Sequence, residues 1–238
     1  MSSARIVDLI EETVLSCRDV DASLNERLAM IFAKVKDLNP DFAAAVERLI
    51  QRLEASGVGA DAPQVGEPMP PFALPDQDGA LVSLDDLHRD GPVAVVFNRG
   101  HWCPYCRLNT VALARAYAEA CRSGGAIVAI TPESARYAKR LKTWADAPFP
   151  VLTDIDNGYA LSLGLAFFVG TEFDRYMKVG GVDLAAYQNS DAWMLPVPAT
   201  FVVAPDGTIA ARFVDPDYRR RMAVEDLLAA LRTARQLT

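Results

Sequence analysis

The chain has 238 residues, 51% hydrophobic and 23% charged, enough for one large domain or a domain with an extension around a well-filled core. Its net charge of −7, with no basic cluster, argues against nucleic acid or anionic membrane as a partner, and no apolar run approaches the ~20 residues of a membrane span. Four cysteines in this length make no disulfide framework, and Asp8, Glu11 and Glu12 interrupt any secretory signal, so a cytoplasmic protein with reduced thiols is expected.

Residues 1–56 read as a helical extension. Ile6, Leu9, Ile10 and Val14 recur at helical spacing, Ser23 with Glu26 is a capping box, and Asn39-Pro40 is an N-cap followed by a first-turn proline. These apolar stripes could pack on the rest of the chain or on a second copy, as a homodimer. Cys17 falls between the first two helices and reads as a spare thiol. Residues 57–71 are rich in Gly, Pro and Ala and read as a linker. Residues 72–238 form the main domain. They open with a hairpin around Asp76–Gly79 and a short helix capped by Ser83.

The stretch from Pro92 to Cys106, PVAVVFNRGHWCPYC, is the centre of the main domain. Val93–Phe97 reads as a buried strand, Asn98–His101 as a polar turn, and Pro104 as the first residue of a helix running to about Arg122. Cys103 then sits at the N-cap and Cys106 at the third helical position, on the same face. Unpaired amides and the helix dipole favour a thiolate at the N-cap, so Cys103 is expected to attack and Cys106 to resolve the covalent intermediate. Two other readings stand beside this one. CxxC can be half of a zinc site, with His101 nearby, but nothing completes a tetrahedral set and no metal is expected. The pair could also be buried and inert, against which the proline at a helix start argues.

After this helix come a strand at Ala126–Ile130, a helix from Ser134, a strand at Val151-Leu152 and a short helix to about Leu163. This βαβα order belongs to an α/β sheet. Residues 167–193 are irregular and aromatic; they could wall the active site or form an inserted surface segment. A strand at Pro198–Val203, a Pro205-Asp206-Gly207 turn, a partner strand at Thr208–Val214 and a helix at Val224–Gln236 close the chain.

The ordered set GEPMPPFALPDQDG, VVFNRGHWCPYC, ITPES, FPVLTD, LPVPATFVV and FVDPDY resembles the peroxiredoxin-like branch of the alkyl hydroperoxide reductase/thiol-specific antioxidant family. That resemblance implies an α/β thioredoxin-like fold, a central mixed sheet flanked by helices, with the N-terminal helical extension attached. It implies that Cys103 is the attacking cysteine, Cys106 the resolving one and Pro198 a cis-proline facing the pair and exposing the backbone of Val197. The chain departs from the family pattern where Val96 and Gly100 stand in place of a proline and a hydroxyl residue. Arg99 could supply the charge of the family's catalytic arginine or lie on the surface. His101 could stabilise a thiolate or shuttle protons, and Trp102 would shield the site.

Two enzymatic readings compete. A peroxidase would form a Cys103–Cys106 disulfide, reduced by a thioredoxin- or glutathione-type partner, with no other cofactor. A disulfide reductase would use the same thiols on a disulfide substrate, as the CPYC sequence of glutaredoxin-like proteins suggests. A non-catalytic redox sensor, with the helical extension binding a partner, is the third.

Overall fold

The computed structural model describes residues 3–236. Helices α1 (Ser3–Asp19), α2 (Leu24–Leu38) and α3 (Pro40–Ser56) open the chain. Their boundaries are set by local chemistry. Ser23 Oγ accepts from the Glu26 amide at 3.3 Å while the Glu26 carboxylate accepts from the Ser23 amide at 2.8 Å. Asn39 caps α3 by accepting from the Phe42 amide at 3.1 Å, and Gly57 ends it in the left-handed region. Cys17 lies within α1 rather than between helices, and it is buried.

A small hairpin, β1 (Ala73–Pro75) with β2 (Leu81–Ser83), leads through α4 (Leu84–His88) to the main sheet. The sheet strands are β3 (Val93–Phe97), β4 (Ala126–Thr131), β5 (Val151–Thr153), β8 (Ala199–Val203) and β9 (Ile209–Val214), in the order β5-β4-β3-β8-β9. β3, β4 and β5 run parallel, while β8 and β9 are antiparallel to their neighbours. This is the mixed thioredoxin-like sheet expected from the sequence. Every residue of β3 is buried, because both faces of this central strand are covered. Ala94 and Val96 face helices α5 (Pro104–Arg122), α6 (Ala135–Trp144) and α10 (Val224–Ala234); Val93, Val95 and Phe97 face Phe72, Leu84 and Tyr159 on the other side.

The irregular stretch is a structured excursion. After α7 (Gly158–Ser162), strand β6 (Ala166–Phe168) pairs with β7 (Met194–Pro196), and between them lie α8 (Thr171–Val179) and α9 (Leu184–Gln188). The Val197 amide extends this pairing by donating to Leu165 O at 2.8 Å, and the chain passes directly into β8. No cis peptide bond occurs among the described residues, so the bond before Pro198 is trans, which corrects the expectation drawn from the family resemblance. The extended path from β7 to β8 needs no turn there, and Val197 is buried in the pairing rather than held out to a substrate.

The helical arm packs on its own chain. Val14, Leu28, Ile31, Val46 and Leu49 share one apolar cluster with Cys103, Cys106, Leu108 and Phe173. Ion pairs tie the same seam: Arg107 grips Glu11 of α1 through two bonds of 2.6 and 2.7 Å, and Arg219 meets Glu47 of α3 at 2.6 Å. Residues 57–71 run along the rim of the sheet, with the Gly66 amide on Ile209 O and the Met69 amide on Gly207 O, each at 2.9 Å.

Candidate active site

Strand β3 ends beneath the N-terminus of α5, and the turn between them brings the site together. Pro104 occupies the first helical position and Cys103 is the N-cap, as the sequence predicts. Cys106 sits on the first turn. Both sulfurs are reduced and buried, with Cys103 1% and Cys106 0% exposed.

The hydrogen-bond donors gather on Cys106. The Arg99 backbone amide donates to its Sγ at 3.2 Å, and Arg221 Nη2 lies at 3.5 Å. Burial opposes a thiolate there, but the hydrogen bond from Cys103, the charges of Arg221 and Arg99 and the Arg99 amide outweigh it and lower the Cys106 pKa to about 5. Burial pushes the Cys103 thiol well up, and sharing its proton with Cys106 adds to the rise. The sequence places the negative charge on the N-cap residue; in the structure the charge-stabilising groups converge on the residue three positions later. A backbone amide and a guanidinium at hydrogen-bonding distance act more strongly than a helix dipole alone.

Arg99 is not a surface arginine. It is 1% exposed, and its guanidinium carbon sits 3.9 Å from the Tyr218 ring centroid, 4.9 Å from Trp102 and 5.8 Å from Phe173. Its Nε and Nη2 have no hydrogen-bond partner. Tyr218 stays a neutral phenol, since burial pushes its pKa up to about 12. Arg221 is anchored by donating to the carbonyls of Tyr218 and Arg220.

His101 faces away from the sulfurs, toward Glu133. Its amide donates to Glu133 Oε2 and its Nδ1 meets Oε1, both at 2.7 Å. Tyr137 stacks on the imidazole and Tyr187 meets it edge-on, each at 4.9 Å. Burial raises the pKa of Glu133, which is 0% exposed. This carboxylate also explains Gly100. A Cβ there would come within 2.6 Å of both Glu133 Cδ and Trp102 Nε1, and φ is +143°. The position that holds a hydroxyl residue in the family pattern has no room here for any side chain.

Trp102 stands between two openings. A cavity of about 220 Å³ lies on the arm side and reaches Cys103, Pro104, Arg99 and Tyr218. A wider, more open cleft lies on the other side, lined among others by His101, Arg136, Lys139, Arg140 and Tyr187. The structure therefore unites Cys103, Cys106, Arg99, Trp102 and Pro104, sets His101 beside them on the far side of Trp102, and leaves Pro198 outside the cavity lining. Sequence reading missed Glu133, Tyr218 and Arg221. The first two lie inside the ITPES and FVDPDY motifs and could have been flagged from them; Arg221 carries no comparable signal.

Residues 65–212 match the AhpC/TSA family. A protein named "Putative peroxiredoxin bcp" from Coxiella burnetii is 28% identical over 94 residues, which is 40% of this chain; the match spans only 62% of that relative's length. Among solved structures, peroxidoxin BcpB of Mycobacterium tuberculosis superposes with a TM-score of 0.56 at 20% identity, covering 72% of this chain and 97% of that one. Peroxiredoxin 6 of Arenicola marina gives 0.55 at 14% identity, over 71% of each chain. These structural likenesses establish a shared fold.

Proposed function

Since the chain belongs to the AhpC/TSA family, we propose that it is a thiol-dependent peroxidase working through Cys103 and Cys106. One observation carries this reading. A buried cysteine with two charge-stabilising donors stands one helical turn from a second cysteine, which heads a cavity lined by an arginine whose Nε and Nη2 are unbonded.

In the resting pair the two sulfurs share one proton, and the donors around Cys106 favour the negative charge there. The proton passes to Cys106 as the Cys103 sulfur attacks the terminal peroxide oxygen. The O–O bond breaks, its electron pair leaves with the alkoxide, and the alkoxide takes the proton from Cys106. The products are an alcohol, a Cys103 sulfenic acid and a renewed Cys106 thiolate. That thiolate attacks the Cys103 sulfur and expels hydroxide, which becomes water with a solvent proton. Two electrons from a thioredoxin- or glutathione-type thiol partner return the disulfide to the dithiol. Arg99, with two N–H groups free, offers donors to the peroxide oxygens and to the departing alkoxide.

A small peroxide can enter the cavity at Cys103 as it stands, whereas a protein disulfide, like a protein reductant that closes the cycle, reaches a sulfur that is 1% exposed only when the site opens. Stopped-flow oxidation of the reduced protein, monitored by tryptophan fluorescence, tests the reading. Fast oxidation should vanish in Cys103→Ser, and Cys106→Ser should accumulate trappable sulfenic acid. Oxidation no faster than that of a free thiol sinks the peroxidase reading and leaves disulfide exchange, assayed with glutathione disulfide.

A further inference from the structure

The matched family segment begins at residue 65, yet one wall of the cavity at Cys103 is built from residues before it. Ile10 and Val14 of α1, Phe32 and Val35 of α2, and Phe42 and Val46 of α3 form one wall. Phe173, Tyr176 and Met177 of α8 face them, and Phe42 joins the two sides by stacking on Phe173 at 5.5 Å. Hydrogen peroxide needs no such wall. An apolar cavity of about 150 Å³ is already large enough to stay dry and take up benzene, and this one measures about 220 Å³.

Two further features indicate an occupant rather than a packing void. The mouth is rimmed by exposed apolar side chains, with Val7 42% and Val179 60% exposed. The inner end holds a polar group in want of a partner. Arg99 is nine-tenths buried and more, lines the cavity, and keeps Nε and Nη2 unbonded. Leaving such groups unsatisfied is costly, and a ligand oxygen placed there would relieve the cost. A molecule that fits both ends has an apolar body and an oxygen-rich head adjacent to Cys103.

We propose that the N-terminal arm is the specificity element of this site, closing an apolar channel that holds the hydrocarbon body of an organic hydroperoxide while Arg99 receives the peroxide oxygens. This rests on the peroxidase reading above. Ile10 and Val179 are the specificity-determining positions most open to test. Ile10 is a wall residue of the arm and Val179 stands at the mouth.

The test compares second-order rate constants for oxidation of Cys103 by cumene hydroperoxide and by hydrogen peroxide, expressed as a ratio. The wild-type ratio should exceed about ten, the scale on which apolar pockets discriminate. Ile10→Trp, which plugs the channel, should lower the ratio at least about tenfold. Val179→Glu alters only an exposed rim residue and so tests the proposal without endangering the fold; it should lower the ratio about threefold to tenfold. A wild-type ratio near one, or a high ratio that neither substitution moves, overturns the proposal. Cumyl alcohol, an unreactive probe, separates this outcome from failure of the parent reading. If no peroxide oxidises Cys103, the peroxidase reading falls. Saturable quenching of tryptophan fluorescence by cumyl alcohol, weakened in Ile10→Trp, would then still support an apolar ligand channel built by the arm; no binding would overturn that as well.

Discussion

The two sides of Trp102 are built from opposite chemistry. On the arm side, aliphatic and aromatic residues surround Cys103 and a guanidinium whose contacts are ring faces. On the other, His101 and the cations Arg136, Lys139 and Arg140 border a cleft open to water, with Glu133 buried behind His101. The thiols belong to the first side, where low polarity strengthens the few donors present. His101 and the three cations of the second keep contact with solvent, while Glu133 does not. The contrast teaches that Trp102, with the glycine two positions before it, parts a buried set of charges, Arg99 and Arg221 beside the thiols, from a solvated set at His101, Arg136, Lys139 and Arg140.

The hardest way to break the division is at that glycine. Gly100→Ala forces a methyl group into Glu133 and Trp102 at a positive φ, and should cost about 2–4 kcal/mol in chemical denaturation. A loss below about 0.5 kcal/mol would mean that the two sides are not joined tightly there.

Arg221→Met tests the redox side alone. Losing the guanidinium at 3.5 Å removes a charge that favours the Cys106 thiolate, so its pKa should rise by about one to three units. The sign sets the pH window. In the wild type, thiolate reactivity should fall as pH drops through about 5 and stay level above it until Cys103 ionises at high pH. In the variant the fall begins at higher pH. Alkylation of the CxxC peptide, read by mass spectrometry against pH, reports the midpoint; an unmoved midpoint removes Arg221 from the site's electrostatics.

The smallest effect is expected from Glu133→Gln. The amide retains an acceptor for the His101 N–H, and neither sulfur bonds to this carboxylate, so alkylation should change less than about threefold. A change larger than that of Arg221→Met would dissolve the proposed separation of the two sides.

Much of the fold was legible because its signals are local. The unbroken apolar run Val93–Phe97, the Ser23–Glu26 box and the Asn39-Pro40 start each act within a few residues, and each appears where expected. The excursion between β6 and β7 was illegible as helix because its order comes from partners elsewhere. α8 starts at Thr171 behind an N-cap glycine, Gly170, that offers no side-chain cap, and Phe173 is positioned by Phe42, far earlier in the chain. The site divides the same way. Cys103, Cys106 and Pro104 announce themselves by spacing, whereas Arg221 reaches Cys106 across 115 positions and only folding brings them together.

The single-turn spacing of the two cysteines also bears on survival under oxidative load. A sulfenic acid has two fates, condensation with a thiol or further oxidation to sulfinic acid. In the proposed cycle the condensing sulfur is the one whose charge is favoured and is carried by the same turn of α5, so no segment has to unwind before the second bond can form. The competition is then between a prearranged intramolecular step and an encounter with a second peroxide. It should favour the disulfide until peroxide is abundant, so that overoxidation of Cys103 sets in only at high peroxide concentration.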